Sequence, residues 1–126
     1  MASLNSLENS ALVSKVLEAV FVKRDPASVA SYFSDNYIQH NPVIPNGKSS
    51  IVEVVASLPA DFTYERGLIV ADGDHVMVHG RYTGWGPAPL IAVDIFRVAN
   101  GQIVEHWDVM QEEVLAKDTV SGNSMF

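Results

Sequence analysis

Three titratable residues interrupt the two most apolar stretches of the sequence. Asp94 lies within residues 90–98, and His106 and Asp108 lie within residues 103–110. Burying a carboxylate costs free energy unless a partner offsets the lost hydration, so these side chains either face water or meet in a cavity. A carboxylate in a dry cavity can take up and release protons near neutral pH. These residue types therefore indicate acid–base chemistry.

The register of the hairpin that joins these two stretches decides whether the three side chains share a face. A two-residue type I′ turn, which the Asn-Gly pair at 100–101 favours, pairs Asp94 with Trp107 and leaves His106 and Asp108 on the other face. A three-residue loop with the glycine in a bulge pairs Asp94 with His106 instead, and then all three share one face. The sequence leaves both registers open.

The other histidines offer weaker signals. His79 lies on the preceding predicted strand, and strand pairing could bring it near Asp94. A zinc site formed by His40, His79 and His106 lacks the ligand spacing that a helix would provide. The spacing therefore predicts no metal site.

The composition excludes several classes of protein. Apolar residues make up 48% of the 126 residues and charged residues 18%, which predicts a packed core. The formal net charge is −7, and no cluster of basic residues exists that could bind nucleic acid or an anionic membrane. There is no cysteine, so disulfides and thiolate catalysis are excluded. No signal peptide or membrane-spanning stretch is evident, and we expect a cytoplasmic location.

The elements that must position the titratable residues follow from the apolar spacing. Three- and four-residue spacing over 12–21 predicts a helix, Asp25-Pro26 is typical of a second helix start, and Ser50 begins a third. Strands are predicted at 62–70, 75–82, 90–98 and 103–110, with a short extended segment at 37–42. We expect one domain over 1–126, mainly helical over 1–60 and mainly strands over 61–112, with a tail at 119–126. This is an α+β arrangement.

Three segments carry a resemblance to a known family. These are Tyr-Ile-Gln-His-Asn-Pro at 37–42, Val-Asp-Ile-Phe-Arg-Val at 93–98 and Gly-Gln-Ile-Val-Glu-His-Trp-Asp at 101–108. Together they resemble the SnoaL-like polyketide cyclase family of the nuclear transport factor 2-like superfamily. The resemblance implies a cone-shaped barrel, in which a curved, mainly antiparallel sheet wraps around the N-terminal helices and encloses a deep pocket.

The resemblance also implies an activity. SnoaL-like cyclases close a ring by aldol condensation without a cofactor, and Asp108 best matches their acid–base aspartate. Asp94 matches the protonated aspartate in the oxyanion hole of ketosteroid isomerase. Asn41 falls near that enzyme's catalytic base but is an amide, which argues against isomerase chemistry of that type. The expected catalytic residues are thus Asp108, His106 and Asp94. The expected substrate-binding residues are His40, Asn41, His79, Trp107, Phe96, Tyr32 and Trp85.

The leading hypothesis is an enzyme that carries out aldol-type cyclisation or a related lyase or isomerase reaction on a small carbonyl compound. The alternative is a non-catalytic protein that binds small hydrophobic ligands in the same pocket, and a third hypothesis is an interaction module with a vestigial pocket. Under each of these we expect a homodimer, because apolar side chains follow the face that carries Ile91, Val93 and Ile95.

Overall fold

The computed structural model describes residues 4–126. The helical elements are α1 (Leu4–Leu17), a π-helical extension (Glu18–Val22), a 3-10 helix (Pro26–Tyr32), α2 (Ser49–Ser57) and a 3-10 turn (Ala116–Asp118). The strands are β1 (Phe33–Gln39), β2 (Thr63–Asp72), β3 (His75–Thr83), β4 (Leu90–Ala99) and β5 (Gln102–Glu112). The three predicted helical segments and the four predicted strands are all present, although residues 1–3 lie outside the described range.

The helices begin and pack as their sequences dictate. The apolar stripe of α1 buries Val13, Val16 and Leu17, because these positions return to one side of the helix every three or four residues. Asp25 precedes the 3-10 helix and Pro26 occupies its first position, where a missing N–H costs nothing. No helix within residues 4–126 has the length and apolar character needed to cross a bilayer.

The five strands form one sheet in the order β1-β5-β4-β3-β2. β1 runs parallel to β5, and every other neighbouring pair is antiparallel. The inner face packs against the helices and carries the core, with Val76, Val78 and Ile103 fully buried. The predicted α+β class with a mainly antiparallel sheet is confirmed.

The hairpin between β4 and β5 follows neither predicted register. Its turn is the expected two-residue type I′ turn, with φ of 53° at Asn100 and 73° at Gly101. The register then shifts, because Val98 pairs with Ile103 but Arg97 pairs with Glu105. An extra residue, at position 104, therefore bulges from β5 and reverses the side-chain alternation of every residue beyond it.

The bulge brings the titratable residues together. Asp94 pairs directly with Asp108, and Phe96 pairs with His106. Both predicted partners of Asp94, which were Trp107 and His106, are thus wrong. The shared face that the second register required is nevertheless present, and it is the inner face of the sheet.

The outer face of the sheet is partly apolar and partly covered. Exposed apolar side chains form an outer patch, which consists of Leu68, Val70, Met77, Val93 and Val109. The C-terminal tail covers the neighbouring area, where the Phe126 ring lies 4.5 Å from the Arg81 guanidinium carbon and 5.4 Å from the His79 ring.

Candidate active site

Asp94, His106 and Asp108 form a compact cluster at the inner face of β4 and β5. His106 Nε2 lies 2.8 Å from Asp94 Oδ1 and 3.9 Å from Asp108 Oδ2. The side chains of Asp94 and Asp108 are 3% and 4% exposed, and that of His106 is 8% exposed. Two carboxylates on directly opposite residues repel one another, so a protonated imidazole or a protonated acid must relieve the repulsion.

Both oxygens of Asp94 take part in hydrogen bonds. The Tyr82 hydroxyl donates to Asp94 Oδ2 at 2.7 Å, while Oδ1 faces His106. Tyr82 is itself fully enclosed, and burial, followed by the charge of Asp94, raises its pKa well above the ordinary value. Tyr82 therefore stays protonated and acts as a permanent donor to Asp94.

Asp108 is held by an amide whose orientation is determined by its neighbours. Asn41 Nδ2 donates to Asp108 Oδ2 at 2.7 Å, while Asn41 Oδ1 accepts from the backbone N–H of Val43 at 2.9 Å. Burial raises the pKa of Asp108, whereas Asn41 and His106 lower it and Asp94 raises it further. The net effect is upward, which suits a carboxylate that must accept a proton from a weak carbon acid.

Gln39, at the end of β1, joins the cluster from the other side. Its Oε1 lies 2.7 Å from His106 Nδ1 and accepts from the backbone N–H of Asn41 at 3.0 Å. Its Nε2 donates to the Tyr37 hydroxyl at 3.1 Å. The parallel pairing of Gln39 with His106 places these two side chains next to one another on the inner face.

A cavity lies above the cluster, between the sheet and the helices. About 50 Å³ of it is open to the centre of a water-sized sphere, and the space between the atoms is about 540 Å³ when the open solvent at the mouth is counted. Asp94, His106, Asp108 and Gln39 supply most of the polar groups of its lining, and the walls are aromatic and aliphatic. The apolar wall includes the side chains of Phe21, Phe33, Trp85, Phe96 and Met110. No lysine or arginine of the described residues lines the cavity, so His106 is the one side chain of the described lining that could carry a positive charge.

The same three residues are the group that could hold a metal ion, since one ligand atom from each lies within 4.8 Å of the others. Each carboxylate already accepts a hydrogen bond, since Tyr82 donates to Asp94 and Asn41 donates to Asp108. A cation would also have to displace the proton between His106 and Asp94. The donor set therefore fits a proton-exchanging site better than a cation site.

Five of the seven expected substrate-binding residues are absent from the cavity lining. Trp107 pairs with Ile95 and faces outward, because the bulge reverses the alternation of β5. His40 also lies on the outer face. Its ring stacks on that of Trp107, with the ring centroids 4.9 Å apart, and its Nε2 lies 2.7 Å from Glu105 Oε2. The hydrogen bond from His40, followed by that from Arg97, lowers the pKa of Glu105.

His79 and Tyr32 are also absent from the lining. His79 pairs with Val93, whereas the neighbour of Asp94 across the strands is Val78, so His79 faces outward and contacts Phe126. The prediction that His79 approaches Asp94 is therefore wrong. The Tyr32 hydroxyl instead accepts a hydrogen bond from Lys15 at the surface.

Phe96 and Trp85 line the cavity, whereas Asn41 is absent from the lining and contacts the cluster only through its hydrogen bond to Asp108. Sequence reasoning missed Gln39, Tyr37 and Tyr82. A signal for Gln39 was available, because it lies within the motif at 37–42 and two residues after a buried tyrosine, on the same face of an extended segment. Tyr82 carried no signal beyond alternation in β3.

Comparison with known proteins identifies the family. The fold is of the nuclear transport factor 2-like type, and a family model described as SnoaL-like domain matches residues 13–106. The chain therefore belongs to the SnoaL-like family. No curated protein matches the chain.

Solved structures show the same fold with diverse names. A candidate ketosteroid isomerase from Kribbella flavida is 18% identical, with a TM-score of 0.74 over 86% of this chain and 81% of its own. A candidate SnoaL-like polyketide cyclase from Jannaschia sp. CCS1 is 18% identical, with a TM-score of 0.71 over 88% and 90%. An epoxide hydrolase from M. tuberculosis is 18% identical, with a TM-score of 0.65 over 93% and 90%. Likeness at this identity establishes the fold alone.

Proposed function

We propose that the chain is a cofactor-independent enzyme that abstracts a proton next to the carbonyl group of a small compound, as in an aldol-type cyclisation or a related lyase or isomerase reaction. The observation that supports this most is the pairing of two buried carboxylates, Asp94 and Asp108, with one imidazole between them in a largely apolar cavity. Such an arrangement holds fewer protons than it has acceptors, so one group can act as base while another acts as acid.

Asp108 is the general base in this proposal. Its raised pKa makes it a stronger base and so brings it closer in base strength to the enolate that forms when the substrate loses its proton. Asn41 binds Oδ2, so Oδ1 is the oxygen left for the substrate. The Asn41 hydrogen bond also orients the carboxylate. The amide cannot itself accept the proton, so Asn41 acts as a positioning residue.

The Asp94–His106 pair supplies the acid. A proton lies between Asp94 Oδ1 and His106 Nε2, 2.8 Å apart, and both residues line the cavity. As the substrate loses a proton to Asp108, negative charge moves to its carbonyl oxygen. A donor fixed in advance at that oxygen stabilises the enolate more than water does, because a buried dipole need not reorganise. In an aldol reaction the enol carbon then attacks the acceptor carbonyl, the proton on the enol oxygen returns to the pair, and Asp108 passes the proton that it took to the new alkoxide. In an isomerisation Asp108 delivers its proton to another carbon of the substrate, and the pair recovers its own proton.

The lining favours a neutral and mostly apolar substrate. Aromatic walls from Phe21, Phe96 and Trp85 suit flat or hydrophobic rings. A carboxylate or phosphate group would meet two buried acids and, of the basic side chains in the described lining, only His106, which is already bonded to Asp94, so the two acids would repel it. Substrates that carry such groups should therefore react poorly.

The proposal is tested by α-proton exchange in D2O, measured by ¹H NMR with a panel of small neutral ketones and enones such as cyclohexanone and cyclohexenone. Asp108→Asn should lower the catalysed exchange rate by about 10²–10⁴-fold, the range that general bases contribute. Asp118→Asn, a change at an exposed carboxylate, is the matched control and should exchange at the wild-type rate. Equal rates in Asp108→Asn and wild type would refute the role of Asp108.

A non-catalytic ligand-binding protein is the second candidate, and the overwhelmingly apolar cavity wall favours it. A ligand of such a protein would bind to wild type and to Asp108→Asn with the same affinity. The ligand would also be recovered from both proteins chemically unchanged, with its α-protons intact. Binding by calorimetry, followed by recovery of the ligand, distinguishes the two functions.

A further inference from the structure

Gln39 has contacts that determine which way its amide points. Its Oε1 accepts the backbone N–H of Asn41 at 3.0 Å, and a backbone N–H can only donate. Its other terminal atom, Nε2, is the donor to the Tyr37 hydroxyl at 3.1 Å. The oxygen of the amide, and not its nitrogen, therefore faces His106.

This orientation determines the protonation of the His106 ring. Because Gln39 Oε1 is an acceptor that lies 2.7 Å from His106 Nδ1, Nδ1 must carry a proton. A neutral His106 then has a bare Nε2, which faces Asp94 Oδ1 at 2.8 Å. Free histidine in water prefers the opposite tautomer, with the proton on Nε2, so the protein inverts the intrinsic preference.

We propose that Gln39 is a positioning residue that holds His106 in the Nδ1–H form and thereby keeps a transferable proton between His106 and Asp94. With Nδ1 protonated, the pair contains a second proton, either on Nε2 or on Asp94 Oδ1. Without Gln39, a neutral His106 ring would carry its single proton on Nε2, facing the Asp94 carboxylate. Donating that proton to a substrate would leave the ring with none, so the pair could not act as an acid. The surrounding donors are consistent with this, since Tyr82 already donates to the other oxygen of Asp94.

The tautomer is measured directly by ¹⁵N NMR of the histidine rings between pH 5 and 9, with His106 assigned from a His106→Asn variant. Wild type should show a protonated Nδ1 throughout. In Gln39→Leu, which removes the acceptor, the neutral His106 ring should show a bare Nδ1 and a protonated Nε2. Gln39→Glu retains an acceptor oxygen and should restore the protonated Nδ1. Gln102→Leu, whose native side chain binds the Ser31 carbonyl at the surface, is the matched control.

A wild-type spectrum with a bare Nδ1 would overturn the inference without any variant, and it would do so even if Gln39→Leu failed to fold. A protonated Nδ1 that persists on the neutral His106 ring of a folded Gln39→Leu, at the alkaline end of the pH range, would overturn it as well. Circular dichroism and the thermal midpoint establish that the compared variants are folded.

The effect of Gln39 on rate rests on the proposed function, whereas its effect on the His106 tautomer does not. In the α-proton exchange assay, Gln39→Leu should lower kcat by about 10–100-fold with little change in KM, because an acid is lost and not a substrate contact. Gln39→Glu should stay within a few-fold of wild type. The expected tautomers together with exchange that is insensitive to Asp108→Asn would refute the proposed function and leave the positioning role intact. Exchange that depends on Asp108, together with tautomers other than the expected ones, would refute the positioning role alone.

Discussion

Two buried tyrosines offer a matched test of how the acidic cluster is stabilised. The rings of Tyr64 and Tyr82 lie 4.7 Å apart, and both residues are at least 92% buried, with exposures of 8% and 2%. The Tyr82 hydroxyl donates to Asp94 at 2.7 Å. The Tyr64 hydroxyl has no hydrogen-bond partner among the described residues. The same change, from Tyr to Phe, should therefore have opposite effects at the two positions.

Tyr82→Phe removes a hydrogen bond to a buried acid that water cannot easily replace. Such bonds contribute about 1.5–3 kcal/mol, and their loss should lower the melting temperature of a domain of this size by roughly 5–12 °C. Tyr64→Phe removes a hydroxyl that lost its hydration on folding without gaining a partner. That variant should be unchanged or more stable by about 1 kcal/mol.

Urea denaturation monitored by circular dichroism at pH 7 measures both free energies of unfolding, provided that the slope with urea is unchanged. Equal destabilisation by both changes, or a larger loss for Tyr64→Phe, would contradict the hydrogen-bond assignment and place the supporting donor of Asp94 elsewhere.

Three further outcomes follow from the structure. The pKa of Asp108 is raised in the folded state, so ionisation of this carboxyl lowers the stability of the protein as pH rises through that pKa. In urea denaturation, Asp108→Asn should therefore be as stable as wild type near pH 3 and more stable than wild type at pH 7. Gly80→Ala would place a Cβ 2.8 Å from the Tyr64 ring and should cost about 1–3 kcal/mol in the same assay. We expect a homodimer formed through the outer patch, and light scattering should show that Val109→Lys is monomeric; a monomeric wild type would contradict this.

Much of the fold could be predicted because it depends on local patterns. The apolar-rich segments at 75–82 and 90–98 predicted β3 and β4, and the Asn-Gly pair at 100–101 predicted the turn that joins β4 to β5. Asp25-Pro26 likewise predicted the start of the 3-10 helix. Each of these signals requires only residues that are close together in the chain.

The site was predicted less well, because one bulge decides which side chains face inward. An extra residue at position 104 carries no distinctive side chain, yet it moves Trp107 outward and brings Asp108 opposite Asp94. His40 was misplaced for the same reason, since its ring stacks on Trp107. The contribution of Gln39 depends on parallel pairing between β1 and β5, which are far apart in the sequence.

The pH dependence of α-proton exchange in wild type and Asp108→Asn tests the assignment of Asp108 as general base most directly. The wild-type rate should rise with pH as Asp108 loses its proton, with a midpoint above the ordinary carboxyl value of 3.8. This rise should be absent in Asp108→Asn. A midpoint at or below 3.8, or an unchanged profile in Asp108→Asn, would show that another group removes the proton.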